Sequence, residues 1–595
     1  MNPAGSMRRA WTVVFLVLAA TAAALAAPDA LAQAADALAQ PAPTPTRADY
    51  PVIGGLHGRP VVWGFAQMHL FLAAFVLAVP LFVVVIELAG AVTHDARYDV
   101  MAHEFMKISM AAYSFTALTG GGLALALFLF YPVVMDYLLK VFRGQALIYA
   151  VLFVLESVFL YLYYYSWNAL RHGQRKWFHL SLGLVLNTVG LTLMFVANAW
   201  TTFMMSPAGV DPATGAITGT VWAATRNPLW NPLNLHRFLA NIAYGGAIVG
   251  AYAAYRFLSV RSIKERAHYD WMGYTANLIA VAGFLPLPFA GYWLMAEIYA
   301  YSQQMGITAM GGVLAWLFII QALLIGTILL AANYYLWCGL GRTDRGARYA
   351  PYVKYIAVVI VGGFLVWVTP HTLILSPEEI RILGGTSHKV LGPLGIMPAK
   401  NTAVNLMLVF TFMSFQLFYR SGRVPTVSWA GVGNMVIVAL YAVGIVNIVA
   451  AGIYGYITPT VYKVGASVPQ VVTTLTIIVV SLTIDSFMAR GARKVEVHWG
   501  RMSTRSQYAL FVLPVAFTWL MALMGYIRSS VRTHWHVYTI MKDASADAYI
   551  PTIGSAGNMI TLVTLAFMAV IVFVFWLSQL GATVQEAPAG GEDRS

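Results

Sequence analysis

One glutamate stands alone in an apolar stretch: Glu156, in LESVFLYLYYYSW, has no other formal charge beside it in a run long enough to cross a bilayer. A carboxylate at that depth costs a few kcal/mol unless it has a task or a partner. Two chemistries fit, a carboxyl that takes and yields protons or a protonated side chain bonded to a neighbouring helix. His69 lies inside WGFAQMHLFLAAFVLAVPLF, about ten residues and roughly 15 Å along a helix axis from its start. An imidazole there needs a metal or a hydrogen bond. His236 opens NPLNLHRFLANIAYGG beside Arg237, as a ligand or as an interfacial histidine. His534 and His536 flank Trp535 in RTHWHVY; such a pair can hold one iron or copper, address two sites, or sit in a turn packed by aromatic rings. Glu297, near the end of PLPFAGYWLMAEIYAYS, is a single carboxylate at an interface. The only cysteine, Cys338, excludes internal disulfides and cysteine-ligated clusters, so metals fall to His, Met, Asp or Glu.

The elements that would position these residues follow from composition. With 59% hydrophobic and 10% charged residues over 595 positions, the chain is an all-α, polytopic membrane bundle and not a soluble protein, in which about a quarter of residues are charged. Arg8 and Arg9, the apolar WTVVFLVLAATAAALAA and then Ala30, Leu31 and Ala32 read as a signal peptide over 1–32, removed near Ala32. Residues 33–58 read as an outer-face linker. Thirteen spans are expected after it, near 61–92, 108–134, 145–167, 179–204, 238–258, 273–297, 311–338, 354–370, 402–418, 431–455, 469–488, 507–526 and 559–580.

Lys and Arg concentrate in alternate loops, among them Arg171, Arg175, Lys176, Arg261, Lys264, Arg345, Arg348, Arg490, Arg493 and Arg501. The positive-inside rule then places the mature N-terminus outside and the C-terminus inside, and it accounts for the net charge of +13 without nucleic acid. His69, His236, His534 and His536 fall on the outer half. His94, His103, His172, His179, His268 and His498 fall on inner loops or helix ends beside Arg and Lys, where solvation is expected. Thr119, Gly120, Gly121 and Gly122 should let a neighbouring helix approach closely. The stretch from His371 to Asn401, with Pro377, Pro393 and Pro398, is expected to form an outer cap in which His371 and His388 do not bind iron.

LESVFLYLYYYSWNAL followed by VANAW and a Pro resembles the third and fourth helices of subunit I of the cytochrome bd-type quinol oxidases. WGFAQMHLFLAAFVLAVPLF resembles that family's first helix, NPLNLHRFLANIAYGG its fifth, and Gly525, Arg532, Trp535, Val537 and Tyr538 follow the exit of its eighth with one residue fewer between them. The resemblance implies a haem-binding, electron-transferring subunit of a bd-like terminal oxidase in the bacterial inner membrane. It would reduce dioxygen with electrons from quinol or a periplasmic cytochrome, beside a second membrane subunit. It implies an axial haem-iron histidine at His69 and a proton-serving carboxyl at Glu156. The family's second glutamate on that helix is Ile148, its low-spin haem histidine falls on Ala240 with His236 one turn earlier, and its ligand glutamate falls on Ser530 beside His534 and His536. The family's quinol-binding loop has no counterpart. The implied cofactors are haem of the b type and of the d type, with copper an open alternative at His534 and His536. In these terms residues 59–300 and 506–585 are the oxidase-like helices, 301–505 carry additional divergent helices, and 586–595 form an inner tail. The other class of function is a haem-free transporter or membrane-anchoring subunit.

Overall fold

Apolar runs longer than a soluble core needs become, among the described residues, thirteen helices long and apolar enough to cross a membrane, as the sequence leads one to expect. The computed structural model describes residues 40–310, 312–369, 381, 382, 384, 391–458, 460–532, 534–548 and 553–580. The expected signal peptide, His371, His388 and the tail 586–595 lie outside the described residues.

The first half comprises α1 (Gly58–Thr93), α2 (Ala96–Phe130), a short α3 (Pro132–Val141), α4 (Gln145–Tyr165), α5 (Gln174–Phe203), α6 (Trp230–Ser259), α7 (Ile263–Phe284) and α8 (Leu287–Tyr301). The second half comprises α9 (Gly312–Gly339), α10 (Gly346–Trp367), α11 (Met397–Ser421), α12 (Ala430–Ile457), α13 (Thr460–Met488), α14 (Thr504–Ser530) and α15 (Ile553–Leu580). Beside some further short helical turns, the described residues include two antiparallel pairs of very short strands: β1 (Arg423–Val424) with β2 (Arg493–Lys494), and β3 (Trp535–Val537) with β4 (Met541–Lys542).

Two boundaries differ from the apolar pattern for physical reasons. The second span starts at Ala96, well before residue 108, because Asp95 caps it by accepting from the Arg97 amide at 3.0 Å. Charged residues such as Arg97, Asp99, Glu104 and Lys107 end an apolar run without ending a helix. The sixth span is split into α7 and α8 around Pro286, which has no amide to continue the ladder.

The centre of the bundle is α1, packed against α2, α5, α6, α14 and α15. Its buried face carries Phe71, Phe75, Val79 and Val83, each fully enclosed. In the second half α9 joins α14 to α10 and α11, and α11 in turn carries α12 and α13. One side of α12, including Val432, Met435, Val438, Val443 and Val446, stays exposed, as a lipid-facing surface requires. The two halves are fastened by a buried ion pair. Arg342 donates through Nε to Asp270 Oδ2 at 3.1 Å, and the Gly500 amide donates to the same oxygen at 2.8 Å.

The end of the bundle where α1 begins is called the near end below, and the other the far end. At the near end α3, residues from the 204–229 loop and the β3–β4 hairpin form a second, smaller apolar cluster around Tyr137, Phe142, Phe203 and Val537. Residues 40–57 do not trail away as a bare linker. The Ala42 amide donates to the Thr214 carbonyl at 2.7 Å, and Tyr50 stacks on His536.

Candidate functional site

His69 sits on α1 facing α2. Its Nδ1 lies 3.1 Å from the Thr116 carbonyl oxygen, and a Cβ placed on Gly120 would come within 2.8 Å of its Cε1. The ring therefore rests on the glycine run, which lets α2 approach α1 as expected. A carbonyl can only accept, so Nδ1 carries the proton and the neutral ring presents its lone pair at Nε2. That is the arrangement in which an outer hydrogen bond fixes the tautomer and orientation of a metal-binding histidine.

On a different face of α1, its near end packs against the near end of α14. Trp63 meets Tyr526 edge to face at 6.3 Å, and Gln67 packs against Gly525 so closely that a Cβ there would collide with its amide nitrogen. Three buried donors at this end, Trp63 Nε1, Arg528 Nη1 and Arg532 Nε, meet no acceptor among the described residues. Arg237 on α6 donates to Asn198 Oδ1 at 2.5 Å, Asn198 donates to Asn234 Oδ1 at 2.7 Å, and Arg237 lies near enough to Arg528 for their charges to repel. Burial, with Arg528 and Arg59 alongside, pulls the Arg532 guanidinium down to about 9. Clustered, buried, donor-only groups are stable when an anion faces them. The carboxylates of a haem are anions of the kind these donors would accept.

The other candidates are placed less compactly. His236 is half-buried and faces α8 at Gly291, its Nε2 3.7 Å from where a Cβ would stand. Glu297 accepts from Trp293 Nε1 of its own helix at 3.1 Å. His536 is buried, with Nε2 2.9 Å from the Tyr50 hydroxyl and 3.3 Å from Asp543 Oδ1, and with Tyr131 against its ring edge. Burial raises the Asp543 carboxyl, but the His536 and Ser545 hydrogen bonds outweigh it and hold the group below the usual carboxylate range. Burial pushes the Tyr50 phenol up to about 12. His534 precedes β3 in a left-handed conformation, φ 67°, and its carbonyl accepts from the Asp543 amide at 2.7 Å. Strand alternation therefore does not simply align the two histidines. Among the described residues no three His, Cys, Asp or Glu side chains gather as a metal cage.

Glu156, in the middle of α4, is buried. No protein group among the described residues donates to its carboxyl, so the bonded-neighbour alternative finds no partner there. It lines a cavity of about 10 Å³ together with Pro80, Asn187 and Gly190, about the least that holds one water.

One group escaped the sequence reading. His179, expected to be solvated, is fully enclosed, with Nδ1 2.5 Å from Glu87 Oε1. Glu87 is also fully enclosed and takes Lys176 Nζ at 2.6 Å and the Tyr163 hydroxyl. The available signal was a glutamate closing one apolar run and a Lys-x-x-His opening another. That α1 and α5 adjoin is not written in either run.

The family model described as cytochrome bd terminal oxidase subunit I matches residues 63–331. A curated relative, "Putative cytochrome bd menaquinol oxidase subunit I" of Bacillus subtilis (strain 168), is 27% identical over 201 residues, which is 34% of this chain and 44% of that protein. The chain thus matches less than half the length of that relative. The solved bd oxidase from Geobacillus thermodenitrificans overlaps 73% of this chain and 96% of its own, at 13% identity and a TM-score of 0.40. The chain is a multi-pass membrane protein and, across residues 63–331, is similar to the cytochrome bd terminal oxidase subunit I family.

Proposed function

We propose that the chain is the haem-bearing subunit of a bd-like terminal oxidase, reducing dioxygen with electrons from a quinol or a periplasmic cytochrome, in the bacterial inner membrane beside a second membrane subunit. The observation that carries the reading is His69, inside the matched segment, with Nδ1 fixed on the Thr116 carbonyl and Nε2 left to bind iron. Bound haem would supply an iron that takes dioxygen and accepts electrons. His69 would hold that iron, and Arg528 Nη1 and Arg532 Nε, which have no acceptor among the described residues, would be donors for its carboxylates. Glu156 would hold a proton within the membrane and yield it during reduction. With α1 starting outside, His69 and the arginines lie on the outer half and Glu87 on the inner half. His236, His534 and His536 remain candidates for a second redox centre. For His536 that would require release of Tyr50 or Asp543 from Nε2.

The test is a reduced-minus-oxidised spectrum and oxygen consumption of the purified full chain with its membrane partner, wild type and His69→Ala. Haem bands in the wild type and one band lost or shifted in the variant are expected. The substituted helix should still insert, since Ala is cheaper than His in lipid. A wild-type protein without haem would instead support the transporter or anchoring class.

A further inference from the structure

The enclosed group around Glu87 belongs to no part of the site described above, and its hydrogen bonds contain a proton that has to be shared. His179 Nε2 lies 2.8 Å from the Tyr163 carbonyl oxygen, which can only accept, so Nε2 carries a proton. Nδ1 then faces Glu87 Oε1 at 2.5 Å. A neutral ring would set a lone pair against a carboxylate oxygen, so a second proton lies between them, on the imidazole or on the carboxyl. Lys176 bridges Glu87 to Asp99, and Asp99 also accepts from Trp167 Nε1 at 3.2 Å. With Glu87 and Asp99 ionised, Lys176 and an imidazolium balance them, which is what a buried ionic group requires. His103, stacked on Tyr164 and close to Trp167, is the further titratable neighbour from α2. Asp99 is 24% exposed while Glu87 and His179 are at 0%, so the group has a wet mouth at the far end and a closed interior.

Three helices connect this group to Glu156. Each carries one residue of the group and one residue of the cavity beside Glu156, about two helical turns apart on a shared face. On α1 these are Glu87 and Pro80, on α4 Tyr163 and Glu156, and on α5 His179 and Asn187. Between the last two, Gly183 lets Tyr163 lie where its Cβ would stand, 2.8 Å from a ring carbon. Asn187 donates to the Pro80 carbonyl at 3.1 Å, and Pro80, lacking an amide, frees the carbonyl of Val76 on the cavity wall. The axial distance from Tyr163 to Glu156 is about 10 Å, and the cavity, with room for about one water, covers the end of it beside Glu156.

We propose that Asp99, Lys176, Glu87, His179 and Tyr163 form a proton relay that loads Glu156 from the far end of the bundle through the cavity at Asn187. Each group gains one proton from the Asp99 side and yields one towards Glu156, returning to its starting state, and no electron moves. The relay rests on the oxidase reading.

The test uses the intact complex reconstituted in vesicles, with oxygen consumption, proton uptake from the far-end side, and the haem spectrum read together. Glu87→Gln keeps the size and the Tyr163 contact but cannot share the proton. It should leave the spectrum unchanged and slow both turnover and proton uptake by about tenfold or more, with partial recovery in Glu87→Asp and a displaced pH-rate profile. His179→Gln should act alike. If Glu87→Gln does not accumulate, Asp99→Asn at the exposed mouth gives the same readout. Wild-type turnover and proton uptake in these variants would overturn the relay and leave the oxidase reading standing. A wild type without haem or oxygen consumption would overturn that reading, and the relay with it.

Discussion

Replacing Gly120 by Ala tests the role of His69 without touching the histidine. The new Cβ would stand 2.8 Å from Cε1 and 3.1 Å from Nδ1 of the ring. Carbon atoms in ordinary contact keep about 3.4 Å or more, so the ring must move by about 0.6 Å. Added to the present Nδ1 to Thr116 distance of 3.1 Å, such a shift takes that bond to the edge of hydrogen bonding. Losing the outer partner of a metal-binding histidine typically costs about 10- to 100-fold in affinity, or about 1.4 to 2.7 kcal/mol. Haem release to an apo-protein acceptor should therefore speed up by that factor, with a shifted band in the reduced-minus-oxidised spectrum. Gly121→Ala is the matched control. It gains the same helix propensity one residue along, yet its Cβ meets nothing within 4 Å. Equal spectra and equal haem retention in the two variants would refute the assignment of His69 as the ligand.

Three further outcomes are expected. Glu156→Gln should leave haem content intact and slow turnover by about 10²-fold, because the amide fills the same space and cannot carry the proton; unchanged turnover would leave Glu156 a structural role. Arg342→Met should destabilise the protein by about 3–5 kcal/mol, measured as thermal denaturation in detergent, because it strands the enclosed Asp270 carboxylate. Asp543 contributes acid-sensitive stability. Its folded value is lowered, so the contribution is present above the unfolded value of about 3.9 and is lost as pH falls through the folded one. Denaturation midpoints at neutral pH and near about pH 3 should accordingly fall less in Asp543→Asn than in the wild type.

The number and order of the spans were legible because a bilayer demands long apolar helices, and that demand is written locally. The charged start of α2 and the break at Pro286 were not, since hydropathy marks where lipid ends and not where a helix does. His69 and Glu156 were legible as single polar residues in apolar surroundings. The donors at the near end were not, because Arg528 and Arg532 sit at the end of an apolar run, where arginine ordinarily reaches water. It is tertiary packing that encloses them, Arg532 also donating to the His536 carbonyl. His179 was misjudged for the same reason. Its neighbours in sequence, Arg175, Lys176 and Trp177, describe a wet loop, while its neighbours in space are Glu87 and Tyr163.

The separation of these two groups bears on mechanism. The near end holds donors in want of an anion, and the far end holds an ionic group whose charges already balance. Glu156 stands between them with no protein donor among the described residues. A carboxyl in that position can change protonation without breaking a protein hydrogen bond, as a proton carrier must. His536, held by Tyr50 and Asp543, would have to give up such contacts to do the same.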